Sequence, residues 1–117
     1  MQILIVFTIG AAGYSALEVL WRGYTHWTMT LTGGFCLIMI YLMNKNANLP
    51  MLWKCVIGAL IITSAELLVG SVVNLVLHWN VWDYSNMPFN FKGQICAVYS
   101  FLWFLLCIPI IYLCNFL

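Results

Sequence analysis

Three carboxylates make up the whole acid inventory of this chain: Glu18, Glu66 and Asp83. Their spacing sets them among other polar groups. Tyr14, Glu18 and Arg22 recur every four residues, so on a helix they share a face, and Glu18 with Arg22 also reads as a structural ion pair. Thr63, Glu66, Gly70, Asn74 and His78 recur at three- and four-residue spacing and mark one stripe of a second helix. Asp83 stands in the stretch WDYSNMPFNFKGQIC, residues 82–96, with Trp79, Trp82, Tyr84, Asn90 and Lys92 around it. A low dielectric favours the neutral form of a carboxyl group, which is what proton coupling and acid/base catalysis both require. The expected substrate-binding or proton-coupling set is therefore Glu18, Glu66, Asp83, Arg22, Asn74, His78, Trp82, Tyr84 and Asn90, converging on one polar cavity. Each also has a plain structural role: Glu66 bonding a neighbouring helix, the tryptophans and His78 in an interfacial belt, Asp83 and Asn90 fixing a turn.

The elements that position these groups follow from composition. The chain has 117 residues, 65% hydrophobic and only 6% charged, with a mean hydropathy of +1.02. Soluble domains carry roughly 25% charged residues, so a water-facing surface cannot be assembled from this inventory. Lipid is the remaining solvent, and there the backbone must satisfy itself as helix or closed barrel. The apolar runs are too long and continuous for barrel strands, which alternate over about 10 residues.

The sequence therefore predicts an all-α polytopic membrane protein, a four-transmembrane-helix bundle in one domain over residues 1–117. Spans are expected at 3–21, 28–43, 51–77 and 93–117, with a re-entrant or interfacial loop at 79–92. The first run lacks the positive n-region of a signal peptide and reads as a retained span. Gly10 and Gly13 are expected to let a second helix approach it closely, and NKNANLP at 44–50 reads as a turn. Gly93 is expected to open the last helix, which Pro109 kinks. Ser15-Ala16-Leu17-Glu18 echoes Ser64-Ala65-Glu66, and Gly33-Gly34-Phe35-Cys36 echoes Gly93-Gln94-Ile95-Cys96, which suggests a two-helix parallel repeat. Glu66 falls near the middle of its span, where an ionisable group costs about 3 kcal/mol on insertion scales.

The net charge of +1 leaves no basic cluster for nucleic acid. Cys36, Cys55, Cys96, Cys107 and Cys114 form no Cys-x-x-Cys pair and have no histidine beside them, so they read as small buried residues. No cofactor and no metal are expected.

The block Trp82-Asp83-Tyr84-Ser85, Pro88-Phe89-Asn90 and Gly93-x-Ile95-Cys96 resembles the entry to the last span in the bacterial family described as putative ABC-transporter type IV, CmpB-like membrane proteins. That family also has a first-helix glutamate in a G-x-x-x-E setting, matched here by the stretch from Tyr14 to Glu18. It usually carries N-R-G-F-L-x-G-P-x-x-P-I-Y-G at the second helix, where residues 31–41 read LTGGFCLIMIY. Only Gly34-Phe35 and Ile40-Tyr41 persist, and the arginine and both prolines are gone. The resemblance implies a multi-pass protein, a permease-like component in a bacterial inner membrane, without fixing a substrate.

The leading expectation is a transport or permease-like protein binding a small polar or cationic molecule at Glu18 and Glu66, capped by the WDYS loop. Four helices enclose little volume, and a pocket of about 300 Å³ or more forms more easily between subunits, so a homo-oligomer, a dimer, is expected in contact with membrane lipids. Both termini are expected on the cytoplasmic side. Two other readings stay open: a membrane-embedded enzyme acting on a lipid or isoprenoid by acid/base chemistry, which is less favoured, and a structural or regulatory subunit of a membrane complex.

Overall fold

Apolar residues fill every stretch long enough to cross a bilayer, and where no water competes for backbone groups such stretches coil into helices. The computed structural model describes residues 2–23, 26–79, 82, 86–93 and 95–117, with the side chains of Trp21 and Arg22 outside that description. Among these residues the elements are α1 (Gln2–Arg22), α2 (Trp27–Asn46), α3 (Met51–Gly70), a π-helical turn (Ser71–Val76), strands β1 (Asn90–Phe91) and β2 (Ile95–Cys96), and α4 (Ala97–Phe116). Stretches long and apolar enough to span a membrane cover Gln2–Leu20, Trp27–Asn46, Met51–Val76 and Ala97–Phe116. The all-α membrane fold with four spans is thus the one the chain adopts.

The chain packs into two compact units. The first comprises Met1–Asn48 with Ile111–Leu117. Its core is the α1–α2 hairpin. Gly23, at φ +83°, ends α1 in the left-handed conformation that glycine reaches without strain, and its N–H returns to Val19 O at 2.8 Å. His26 caps the next helix, its Nδ1 accepting from Thr28 N–H at 3.3 Å. The helices then touch backbone to backbone. A methyl group on Gly10 would stand 2.6 Å from Gly33 O, and one on Gly33 would overlap Tyr14 Cβ. In lipid no hydrophobic force drives such contacts, so close van der Waals packing over small residues has to. Gly13, expected to share this role, instead has nothing within 4 Å of its would-be Cβ, because it lies on the exposed side of α1. Phe7 meets Phe35 edge to face, with ring centroids 5.4 Å apart. Ser15 and Thr30 hydroxyls bond at 2.7 Å. Asn44 Nδ2 donates to Asn115 Oδ1 and Gln2 Nε2 to Leu117 O, both at 2.8 Å, tying the last turn of the chain to the ends of α1 and α2.

The second unit, Leu49–Ile110, holds α3, the π turn, the β1–β2 hairpin and most of α4. Pro50, at φ −64°, leads into α3. After Gly70 the helix widens. Leu77 N–H bonds Val72 O at 2.9 Å, an i to i−5 step, and Trp79 N–H bonds Val73 O at 2.8 Å around a left-handed His78, φ +57°. That reversal closes the third span.

Three expected boundaries shift. α2 runs on to Asn46, where residues 44–46 were expected to turn, and Asn46 Nδ2 donates back to Leu42 O at 2.8 Å. The third span is α-helical only to Gly70 and ends as a π turn at Val76. The fourth starts at Ala97 rather than at residue 93, because β1 and β2 pair antiparallel first, Asn90 with Cys96 and Phe91 with Ile95. Gly93 does not open the helix. It sits at φ +73° in the hairpin turn.

Candidate functional site

Among the described residues the most deeply buried polar side chain is Glu66, only 2% exposed. It lies on α3 fifteen residues after Met51 and ten before Val76, about 22 Å and 15 Å along a helix rising 1.5 Å per residue. The α4 helix supplies its partner: Trp103 Nε1–H donates to Glu66 Oε1 at 2.6 Å. One turn earlier on both helices, the Thr63 and Ser100 hydroxyls bond at 3.0 Å. Two polar rungs therefore join α3 to α4, three residues apart on each helix, in an otherwise apolar setting. A carboxyl group held this way is oriented by the indole.

Further along the same helix, the π turn turns Asn74 inward, 7% exposed, and its Oδ1 accepts the Trp82 N–H at 3.4 Å. Trp82 is buried, where a place in the interfacial belt was expected; the reversal at His78 folds the chain back so that this residue reaches Asn74. Trp27 and Trp79 stay exposed, as belt residues do. Since Asn74 fastens the loop to the helix, Asn74→Leu should free Trp82 at a cost of about 1 kcal/mol, the net worth of one hydrogen bond. The tryptophan emission that vanishes in Trp82→Phe should then shift to longer wavelength in Asn74→Leu.

The remaining expected residues divide. Glu18, 7% exposed, is buried on α1 in the first unit, whereas Glu66, Asn74 and Trp82 belong to the second. Three residues before Glu18, Ser15 reaches Thr30, the fourth residue of α2; three before Glu66, Thr63 reaches Ser100, the fourth residue of α4. The same local device accompanies both acids. His78 is exposed at the helix end. Asn90 is exposed and builds the hairpin: its Nδ2 donates to Met87 O at 2.9 Å and its Oδ1 accepts Gly93 N–H at 3.1 Å. Asp83, Tyr84 and the Arg22 side chain lie outside the described residues.

Trp103 and Ser100 escaped the sequence reading. One signal was present: Trp103 stands six residues inside α4, deeper than an interfacial tryptophan sits, on a span without a charged residue. Among the described residues no cluster of histidine, cysteine, aspartate or glutamate could hold a metal ion, and all five cysteines are buried thiols.

Compared with known proteins, the chain matches over residues 16–117 the family model described as "Putative ABC-transporter type IV". The match takes in Glu18, Glu66, Trp103 and the whole WDYS block. Neither the curated proteins nor the solved structures compared with the chain contain a match.

Proposed function

We propose, because the chain belongs to the putative ABC-transporter type IV family, that it is a small permease-like membrane component which binds a polar or cationic small molecule at an intramembrane carboxyl group. The single observation that carries this reading is Glu66, buried in mid-span and oriented by the Trp103 indole. A carboxyl group in such a setting is costly to keep and is the ordinary ligand for a cation or a proton inside a membrane. Asn74 and Trp82 would close this site, and Glu18 is a second buried carboxyl group, on α1 in the other unit. A homodimer in a bacterial inner membrane, with cytoplasmic termini, would give the site the volume four helices lack.

The test uses purified protein in lipid vesicles and a simple probe, tetraethylammonium. Difference infrared spectroscopy should show a change in the carboxyl bands when the cation binds. Glu66→Gln should abolish that change and weaken binding about thirtyfold or more, the loss that follows removal of one partner of a desolvated charge pair. A band and an affinity untouched by Glu66→Gln would leave Glu66 as a bond between helices and overturn the proposal.

A further inference from the structure

The β1–β2 hairpin is small and out of character with its surroundings. Phe89 is 88% exposed and Phe91 52% exposed. Phe89 and Lys92 both hold φ +55°, a left-handed conformation that is rare for residues with a bulky side chain. Strain of this kind persists only where the surroundings over-determine it, and here Asn90 does so, bracing Met87 O on one side and Gly93 N–H on the other. The loop is thus built to present two phenyl rings outward. Lys92 goes with them, its Nζ 5.7 Å from the centre of the Phe91 ring.

Where this loop stands follows from the spans on either side. β2 packs against α3. The preceding span, Met51–Val76, has 26 residues, about 39 Å of helix against a hydrocarbon core of about 30 Å. Its end therefore reaches the headgroup layer, and the hairpin leads straight into α4 at Ala97. Exposed phenyl rings at that level meet the boundary between acyl chains and headgroups, where aromatic side chains are favoured. Lys92 is also the only charged residue from Tyr84 to the end of the chain, and its sign complements an anionic headgroup.

We infer that residues 86–93 form an interfacial anchor, with Phe89 and Phe91 seated at the acyl–headgroup boundary and Lys92 binding the headgroup of an anionic lipid. The rings fix depth, and the ammonium group selects charge. This surface is independent of the Glu66 site and would stand if that reading failed.

Labelling tests it directly, since the native cysteines are buried. A nitroxide on Phe89→Cys, in vesicles of phosphatidylcholine and phosphatidylglycerol, should collide more with oxygen than with a water-soluble nickel chelate. The same label on Asn48→Cys, in the polar loop before α3, should show the reverse. Equal chelate access at both positions would overturn the anchor, and so would spin–spin broadening at position 89 that reveals a second copy of the chain there. In a second measurement, spin-labelled phosphatidylglycerol should be held about fivefold more strongly than phosphatidylcholine, the enrichment one lysine gives near an anionic surface. Lys92→Asn, which keeps the left-handed backbone readily, should remove that preference. Retention of the preference in Lys92→Asn would overturn the assignment of Lys92.

Discussion

Replacing Gly33 by alanine should destabilise the α1–α2 hairpin by about 1–3 kcal/mol, the usual cost of forcing a methyl group into a filled interface, and the true figure should sit at the upper end. The added carbon would stand 2.8 Å from Gly10 O and overlap Tyr14 Cβ. Backbone cannot yield as a flexible side chain does, so the helices must separate. Separation would also pull Ser15 from Thr30 and Phe7 from Phe35, a hydrogen bond and a ring contact that depend on the same closeness. Gly13→Ala is the control with the opposite sign. Nothing lies within 4 Å of its would-be Cβ, so only helix propensity changes, and alanine should stabilise α1 by up to about 1 kcal/mol. Thermal unfolding in detergent, followed by far-ultraviolet circular dichroism, should give a lower midpoint for Gly33→Ala and an unchanged or higher one for Gly13→Ala. Equal effects of the two would mean that α1 and α2 do not pack through Gly33.

The second large effect is expected at Trp103. Phenylalanine there keeps most of the ring but removes the Nε1–H that reaches Glu66 Oε1. A buried acceptor stripped of its donor costs about 1–3 kcal/mol, more than the bond contributes while it is made. Trp103→Phe should lower stability by that amount. Glu66→Leu removes the carboxyl group itself, at the price of an indole N–H left in an apolar site. With both changes together neither orphan remains, so the double variant should be less destabilised than the sum of the two. A double-mutant cycle from unfolding midpoints measures this coupling, expected at about 1–2 kcal/mol. Strict additivity would mean that Trp103 and Glu66 do not interact.

Much of the fold was legible because bilayer physics narrows the choice to helices once the charges are so few. The end of α1 and the start of α3 were legible too: Gly23 and Pro50 are local signals whose consequences do not depend on the rest of the molecule. The start of α4 was not, because hydropathy does not register a strand pair of two residues each, and Gly93 signals a turn as readily as a helix entry. For the candidate site, periodicity found the helix and the face of Glu66, since the spacing of Thr63, Glu66 and Gly70 is intrinsic to α-helix. It could not find Trp103, which meets Glu66 only through tertiary packing, nor assign Asn74 its partner, because periodicity assumes a uniform pitch that fails after Gly70. Which of Gly10 and Gly13 is crossed by the second helix is likewise decided by rotation about the helix axis, which composition does not encode.

The π turn at Ser71–Val76 gives this part of the chain a tolerance to length that the rest of α3 lacks. A π turn accommodates one residue more than the α-helical ladder would, and each residue of an α-helix advances the face by about 100°. Deleting Ser71 would let the ladder close at normal pitch, and everything after Val76 would emerge at nearly its present azimuth, because the wider turn already absorbs the extra residue. The loss would be local: Leu77 N–H would no longer return to Val72 O, and Asn74 would rotate from its place against Trp82. A deletion in the α-helical part of α3 has no such slack and would swing the whole connection to α4 by about 100°. The surplus residue behaves as a spacer that serves Asn74 and Trp82, while the path out of the helix does without it.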